Sequence, residues 1–135
     1  MPGIDDSRSF LPVKIAVLTV SDSRTEADDK SGEILVERLL GAGHHLAARA
    51  IVPDEQELIV GHLTKWVKDP QIDVVLGTGG TGVTGRDVTP EAFESIYDKL
   101  VPGFGELFRM LSFQKIGTST IQSRATAGTC QGTYL

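Results

Sequence analysis

Val13-Lys14-Ile15-Ala16-Val17-Leu18-Thr19-Val20 is a nearly unbroken apolar run that stops at Ser21-Asp22-Ser23. It is short and rich in β-branched residues. An amphipathic strand would alternate in polarity, whereas this run is apolar at almost every position. That pattern belongs to a strand buried on both faces, as in a parallel sheet. Residues 1–12, ahead of it, carry two prolines and mixed charge and read as a flexible arm.

The segments that follow repeat the theme. Ser31 to Leu40 places Ile34, Leu35, Val36, Leu39 and Leu40 at helical spacing, with Asp29 or Ser31 as cap and Gly41 and Gly43 as terminators. Leu46 to Val52 reads as a second strand closed by Pro53. Asp54-Glu55-Gln56-Glu57 has the form of a capping box. The helix behind it buries Leu58, Ile59, Leu63, Trp66 and Val67 and stops at Asp69-Pro70. Ile72 to Leu76 is a third apolar strand, and Gly77 to Gly85 follows it directly. Thr89-Pro90-Glu91 is a helix start, with Thr as N-cap and Pro at the first position. That helix would bury Phe93, Ile96, Tyr97 and Leu100, and Pro102-Gly103 breaks it. Phe104, Leu107, Phe108 and Leu111 form another apolar stripe; the Phe104–Phe113 stretch reads as core, with a subunit interface as the alternative. Ile116 to Ala127 looks irregular to extended, and Thr129 to Leu135 looks like the beginning of a strand. Strands alternating with helices give an α/β fold with a mainly parallel sheet and helices on both faces.

Composition limits the function classes. The chain has 135 residues, about one domain, with 13 Lys and Arg against 18 Asp and Glu, a net charge of −5. No basic run is present, so nucleic-acid binding by bulk electrostatics is excluded. Cys130 is the single cysteine, which rules out an intrachain disulfide and a cysteine metal cluster. It reads as a buried, inert thiol. No apolar run approaches the roughly 20 residues that span a bilayer. The start of the chain lacks a basic-then-apolar signal pattern, so a cytoplasmic protein is expected.

Glycine is the compositional outlier. Five of the 15 glycines fall between positions 77 and 85. In open α/β sheets ligands bind beyond the carboxyl ends of the strands. Three loops leave such ends, Ser21–Ser31, Pro53–Glu57 and Gly77–Thr89, and each leads into a helix N-terminus suited to anions. The G-x-G-x-x-G pattern occurs twice, from Gly77 and from Gly80. A dinucleotide fold would place it after the first strand with a helix at once, so a nicotinamide-dependent oxidoreductase is a distant alternative. No lysine follows the glycines, which excludes a P-loop. Glycine at this density permits close approach of a ligand to main chain. Asp54 and Asp87 both fall at strand-to-helix junctions, so two carboxylates could face one cleft and hold Mg²⁺ between phosphates. A plain helix cap is the simpler reading of Asp54. Arg86 and Arg124 are the cations best placed to meet an anion. His44 and His45 read as solvent-exposed, and His62 as isolated on a helix.

Taken together, these residues resemble the molybdenum cofactor biosynthesis family of MoaB and MogA. The resemblance rests on Val20-Ser21-Asp22-Ser23-Arg24, Ser31-Gly32, Val52-Pro53-Asp54-Glu55, Gly77-Thr78-Gly79-Gly80-Thr81-Gly82, Arg86-Asp87-Val88-Thr89-Pro90-Glu91, Pro102-Gly103-Phe104-Gly105-Glu106 and Ser123-Arg124-Ala125. The stretch Ile116 to Ala125 is more similar to the MoaB branch.

The resemblance implies a three-layer α/β/α domain over residues 13–135, without the family's C-terminal strand, Pro-Gly loop and closing helix. It implies Mg²⁺- and ATP-dependent adenylylation of molybdopterin, with a non-catalytic molybdopterin-binding or scaffolding protein as the alternative. It implies that Asp54 and Asp87 are the catalytic aspartates and the Mg²⁺ ligands. Ser21, Asp22, Ser23, Ser31, Gly32, Thr78, Gly79, Gly80, Thr81, Gly82, Arg86, Thr89 and Ser123 would line the ligand site. The partners implied are a phosphorylated pterin, a nucleotide and other proteins of the pathway. Assembly into trimers or hexamers is implied as well.

Overall fold

The computed structural model describes residues 5–135. Its elements are β1 (Lys14–Val20), α1 (Lys30–Gly41), β2 (His45–Val52), α2 (Gln56–Val67), β3 (Val74–Thr78), α3 (Thr89–Glu94), β4 (Lys99–Leu100), α4 (Pro102–Ile116), β5 (Gly128–Cys130) and β6 (Thr133–Tyr134). A 3₁₀ helix, Gly117–Gln122, follows α4. The six strands form one sheet in the order β2-β1-β3-β6-β5-β4. β1 is parallel to both β2 and β3, and β3 to β6, while β5 is antiparallel to its neighbours. The first four residues of the expected arm lie outside the described residues; residues 5–12 form no helix or strand.

β1 is central because both its faces are apolar. Alternate residues of a strand point to opposite faces. Ala16, Leu18 and Val20 belong to one cluster with Ile59, Leu63 and Trp66 of α2 and with Ala92 and Phe93 of α3. Ile15 and Val17 belong to a second cluster with Leu39, Leu35 and Val36 of α1. The Trp66 and Cys130 readings as core hold. Consecutive crossovers thus run over opposite faces: α1 leads from β1 out to β2, and α2 leads back past β1 to β3. The switch point of the sheet is therefore between β1 and β3, and a crevice opens beyond their carboxyl ends. Register brings Val20 level with Val52 and Thr19 level with Thr78, so the three strands end together.

Several boundaries differ from the sequence reading. β3 runs two residues further, into the glycine stretch. The capping box does not form: Glu55 is the N-cap of α2 and makes no side-chain cap bond. Asp54 is therefore not a plain cap. Thr89 is not a cap either, since it is already helical and Val88 precedes it. α3 ends at Glu94, and Leu100 lies in the edge strand β4, exposed. The end of the chain folds as two short strands, β5 and β6, rather than one. Gly128 is required there, because its Cα presses against the Tyr97 ring.

The largest departure is α4. Phe104, Leu107, Phe108, Met110, Leu111 and Phe113 are 45–56% exposed, although read as core. Only Gly105 of α4 is buried. The apolar stripe has helical period, but nothing among the described residues covers it.

Candidate functional site

The crevice at the β1/β3 switch point is built from loops pressed onto strand ends. β3 continues into Gly79 and Gly80, which take φ of 90° and 66°. Left-handed backbone of this kind favours glycine. A Cβ on Gly79 would collide with the carbonyl oxygen of Val20, the last residue of β1. A Cβ on Gly80 would collide with the Thr89 hydroxyl and stand 2.9 Å from Asp54 Oδ1. Gly82 likewise leaves room for the Asp87 carboxylate, 2.7 Å from where its Cβ would be. The glycines are thus spaced so that bare main chain, two carboxylates and one hydroxyl share a small volume.

The loop after β1 joins them. The Ser21 N–H donates to Val52 O at 2.8 Å. The Ser21 hydroxyl accepts from the N–H groups of Ser23 and Arg24, at 3.3 and 3.2 Å. Asp22 reaches across the crevice in two directions. Its Oδ1 accepts from the Asp54 N–H at 3.0 Å, and its Oδ2 accepts from Arg86 Nη2 at 2.7 Å and Nε at 3.2 Å. Arg86, followed by the Asp54 N–H, holds the Asp22 carboxyl below its usual range. Asp54 is shifted the other way. Burial pushes it up, the neighbouring Asp22 charge adds to this, and Arg86 opposes it. Asp87 is held low, first by the Thr84 hydroxyl and then by the Thr84 N–H at 3.0 Å.

Thr89 supplies the most telling atom. The residue is 5% exposed, and its hydroxyl has no hydrogen-bond partner. A buried hydroxyl without a partner is costly, and native structures normally satisfy it. This one faces the Gly80 turn beside Asp54.

Two cavities open at this end of the sheet. One, of about 460 Å³, is lined by Ser21, Asp22, Arg24 and the end of β2. The other, of about 520 Å³, is lined by Thr78, Gly79, Thr81, Thr89, Ser123 and Arg124, with Phe93, Phe104 and Phe108 as apolar wall. Ser21, Asp22, Asp54, Thr78 to Gly82, Arg86, Asp87, Thr89 and Ser123 are thus gathered at one end of the sheet. Ser23 and Ser31 are exposed. Ser31 and Gly32 sit in the first turn of α1, and Gly32 makes room for Asp29 and Thr19. Among the described residues no three His, Cys, Asp or Glu side chains group to hold a metal.

One structural pair escaped the sequence reading. Arg49 Nη2 donates to the buried Asp29 carboxylate at 3.2 Å and to Asp29 O at 3.3 Å. Asp29 also accepts from the Thr19 hydroxyl at 2.7 Å and from the Gly32 N–H at 3.0 Å. Burial alone would raise its pKa; these donors together hold it below the usual value. The available signal was a lone charge inside the otherwise apolar Leu46–Val52 strand. His44 is half-buried rather than exposed, and its Nδ1 accepts from the Val13 N–H at 3.1 Å.

Residues 16–134 match the family described as a probable molybdopterin binding domain. The chain belongs to the molybdenum cofactor biosynthesis family. Molybdenum cofactor biosynthesis protein B of Escherichia coli K12 is 48% identical over 129 residues, covering 96% of this chain and 76% of that protein. A crystal structure of a molybdenum cofactor biosynthesis protein B superposes with a TM-score of 0.90 at 44% identity, over 94% of this chain and 80% of that one. The tungsten cofactor synthesizing protein MoaB of Pyrococcus furiosus superposes at 0.80 with 38% identity, over 92% of this chain and 77% of that one. The family's fold is therefore the α/β arrangement described above, and the glycine loop lies inside its molybdopterin-binding domain. Among the described residues no helix is long and apolar enough to cross a membrane.

Proposed function

We propose that this protein binds molybdopterin at the β1/β3 crevice and transfers an adenylyl group to it from MgATP. A terminal phosphate oxygen of molybdopterin attacks the α-phosphorus of ATP, a new P–O bond forms, and the bond to the leaving pyrophosphate breaks. The observation that carries the reading is the buried, unpartnered Thr89 hydroxyl facing bare glycine main chain. Such a group calls for an acceptor oxygen from outside, and a phosphate supplies one.

The chain's own task is alignment and charge management. A phosphate nucleophile is already ionised, so little proton transfer is needed. Gly79 and Gly80 let phosphate oxygens approach the backbone, and Thr89 donates to one of them. Fixed donors in a partly dry crevice lower the barrier by preorganisation. Asp54 and Asp87 offer the oxygen donors that Mg²⁺ prefers, with water completing its shell. When bound, Mg²⁺ would neutralise phosphate charge. Arg86, held on Asp22, is an exposed cation able to turn toward an anion.

The test is pyrophosphate release from MgATP and molybdopterin by the purified protein. Release that depends on molybdopterin supports the reading; binding without release would make the protein a molybdopterin carrier or scaffold. The uncovered face of α4 supports self-association, for which the family resemblance implies trimers or hexamers, since apolar faces of this extent are normally covered. Light scattering should then give a mass several times 14.5 kDa, and Phe108→Glu should lower it.

A further inference from the structure

Arg124 was expected to meet a ligand anion, yet its guanidinium is committed to the protein. Nε donates to Gly82 O at 2.6 Å, and Nη2 donates to Asp87 O at 2.6 Å. Nη1 donates to both carboxylate oxygens of Glu91, each at 2.8 Å. These acceptors bracket the glycine loop: Gly82 precedes its tip, Asp87 ends it, and Glu91 lies in the first turn of α3.

The segment that carries Arg124 is itself held by a second arginine. Arg109 Nη1, from α4, donates to Ser123 O at 3.1 Å and to Ala125 O at 3.3 Å. Gly105 makes that contact possible, because a Cβ there would stand 2.7 Å from both Ala125 O and Arg109 Nη2. A chain of direct contacts therefore runs from α4, through the backbone on either side of Arg124, to both ends of the loop.

This arrangement has a geometric consequence. In a trans peptide the C=O of one residue and the N–H of the next point in opposite directions. Drawing the Gly82 and Asp87 carbonyls toward Arg124 turns the Val83 and Val88 N–H groups away from it. It also removes two carbonyl dipoles from any surface that receives an anion. A planar five-donor fork can serve three acceptors at once, whereas a lysine ammonium holds no such fixed geometry.

We propose that Arg124 is a positioning residue that fixes the shape of the glycine loop and the place of the Asp87 carboxylate, and that Arg109 seats it. The assignment rests on the reading of the loop as the phosphate-handling site. It extends that reading to two residues that act through the loop.

Arg124→Lys keeps the charge and loses the fork. Amide exchange between Gly82 and Asp87 should then quicken about tenfold or more, with exchange in β1 and α2 little changed. Pyrophosphate release should lose roughly tenfold in kcat, while KM for molybdopterin moves less than about threefold. Arg109→Lys should loosen residues 123–127 and, more weakly, the loop. If Arg124→Lys does not fold, the Arg109→Lys exchange pattern decides. Unchanged loop exchange, or exchange that rises equally across the sheet, overturns the proposal. If the unaltered protein releases no pyrophosphate, the adenylyl-transfer reading fails, and the exchange pattern alone still judges the clamp.

Discussion

Gly79→Ala should damage this fold far more than one methyl group suggests. Two effects add. Gly79 has φ of 90°, a conformation that costs a residue with a Cβ about 1–2 kcal/mol. The new Cβ would also meet the Val20 carbonyl, whose carbon is 3.2 Å away. Val20 is the last residue of the central strand, paired with Val52 and 3% exposed, so it has no room to retreat. Overpacking against fixed structure costs about 1–3 kcal/mol. The sum is about 2–5 kcal/mol, which for a domain of this size is roughly 8–20 °C in Tm. Gly61→Ala is the internal control. Gly61 lies in α2 with nothing within 4 Å of its Cβ position, so alanine there should raise stability by about 0.5–1 kcal/mol. Thermal melts followed by circular dichroism measure both. A Gly79→Ala melt within about 2 °C of the unaltered protein would refute the claim that the loop is pressed onto the strand end.

Three further outcomes follow from the same geometry. Asp87→Ala should abolish pyrophosphate release while fluorescence titration still detects molybdopterin binding; retained adenylylation would sink the assignment of Asp87. Asp29 is held below its usual pKa in the folded chain, so its contribution to stability is complete above about 3.9 and fades as pH falls through the folded value. Asp29→Asn should therefore lower Tm at pH 7 and lower it less at pH 3; parallel losses at both would contradict the ion pair with Arg49. Burial pushes the Tyr97 phenol from 10.0 up to about 12, so stability should fall as pH rises between those values. Tyr97→Phe removes the titrating group and should flatten that alkaline loss in melts from pH 9 to about 12.

Legibility tracked the range of the interactions involved. β1, α1 and α2 were readable because one burial pattern decides each of them. Ile59, Leu63, Trp66 and Val67 are buried on α2 as their spacing required, whereas Leu58, read with them, is exposed. The N-caps of α2 and α3 were misread because Asp54 and Thr89 are good local caps. Tertiary contacts gave both residues to the crevice instead. The glycine loop was visible from glycine density, since only glycine lets main chain approach so closely. Arg124 was visible as a cation, but its role was not. Two of its three acceptor groups are carbonyls 37 and 42 positions away, and main-chain carbonyls leave no mark in a residue pattern.

The sequence by itself determined the α/β class and the central buried strand, because burial periodicity is written residue by residue, and its motifs carried the resemblance to the family. It also placed Asp54, Asp87 and the glycine loop at strand ends. Only the tertiary structure decided which ends meet. The opposite-face crossovers of α1 and α2 bring the β1 and β3 loops to one crevice, and that depends on sheet order. The structure likewise turned the Phe104–Phe113 stripe from core into surface, since a helix's apolar face does not say whether its own chain covers it. It turned Arg124 from an anion receptor into a clamp, because a guanidinium binds whichever acceptors the fold brings within reach.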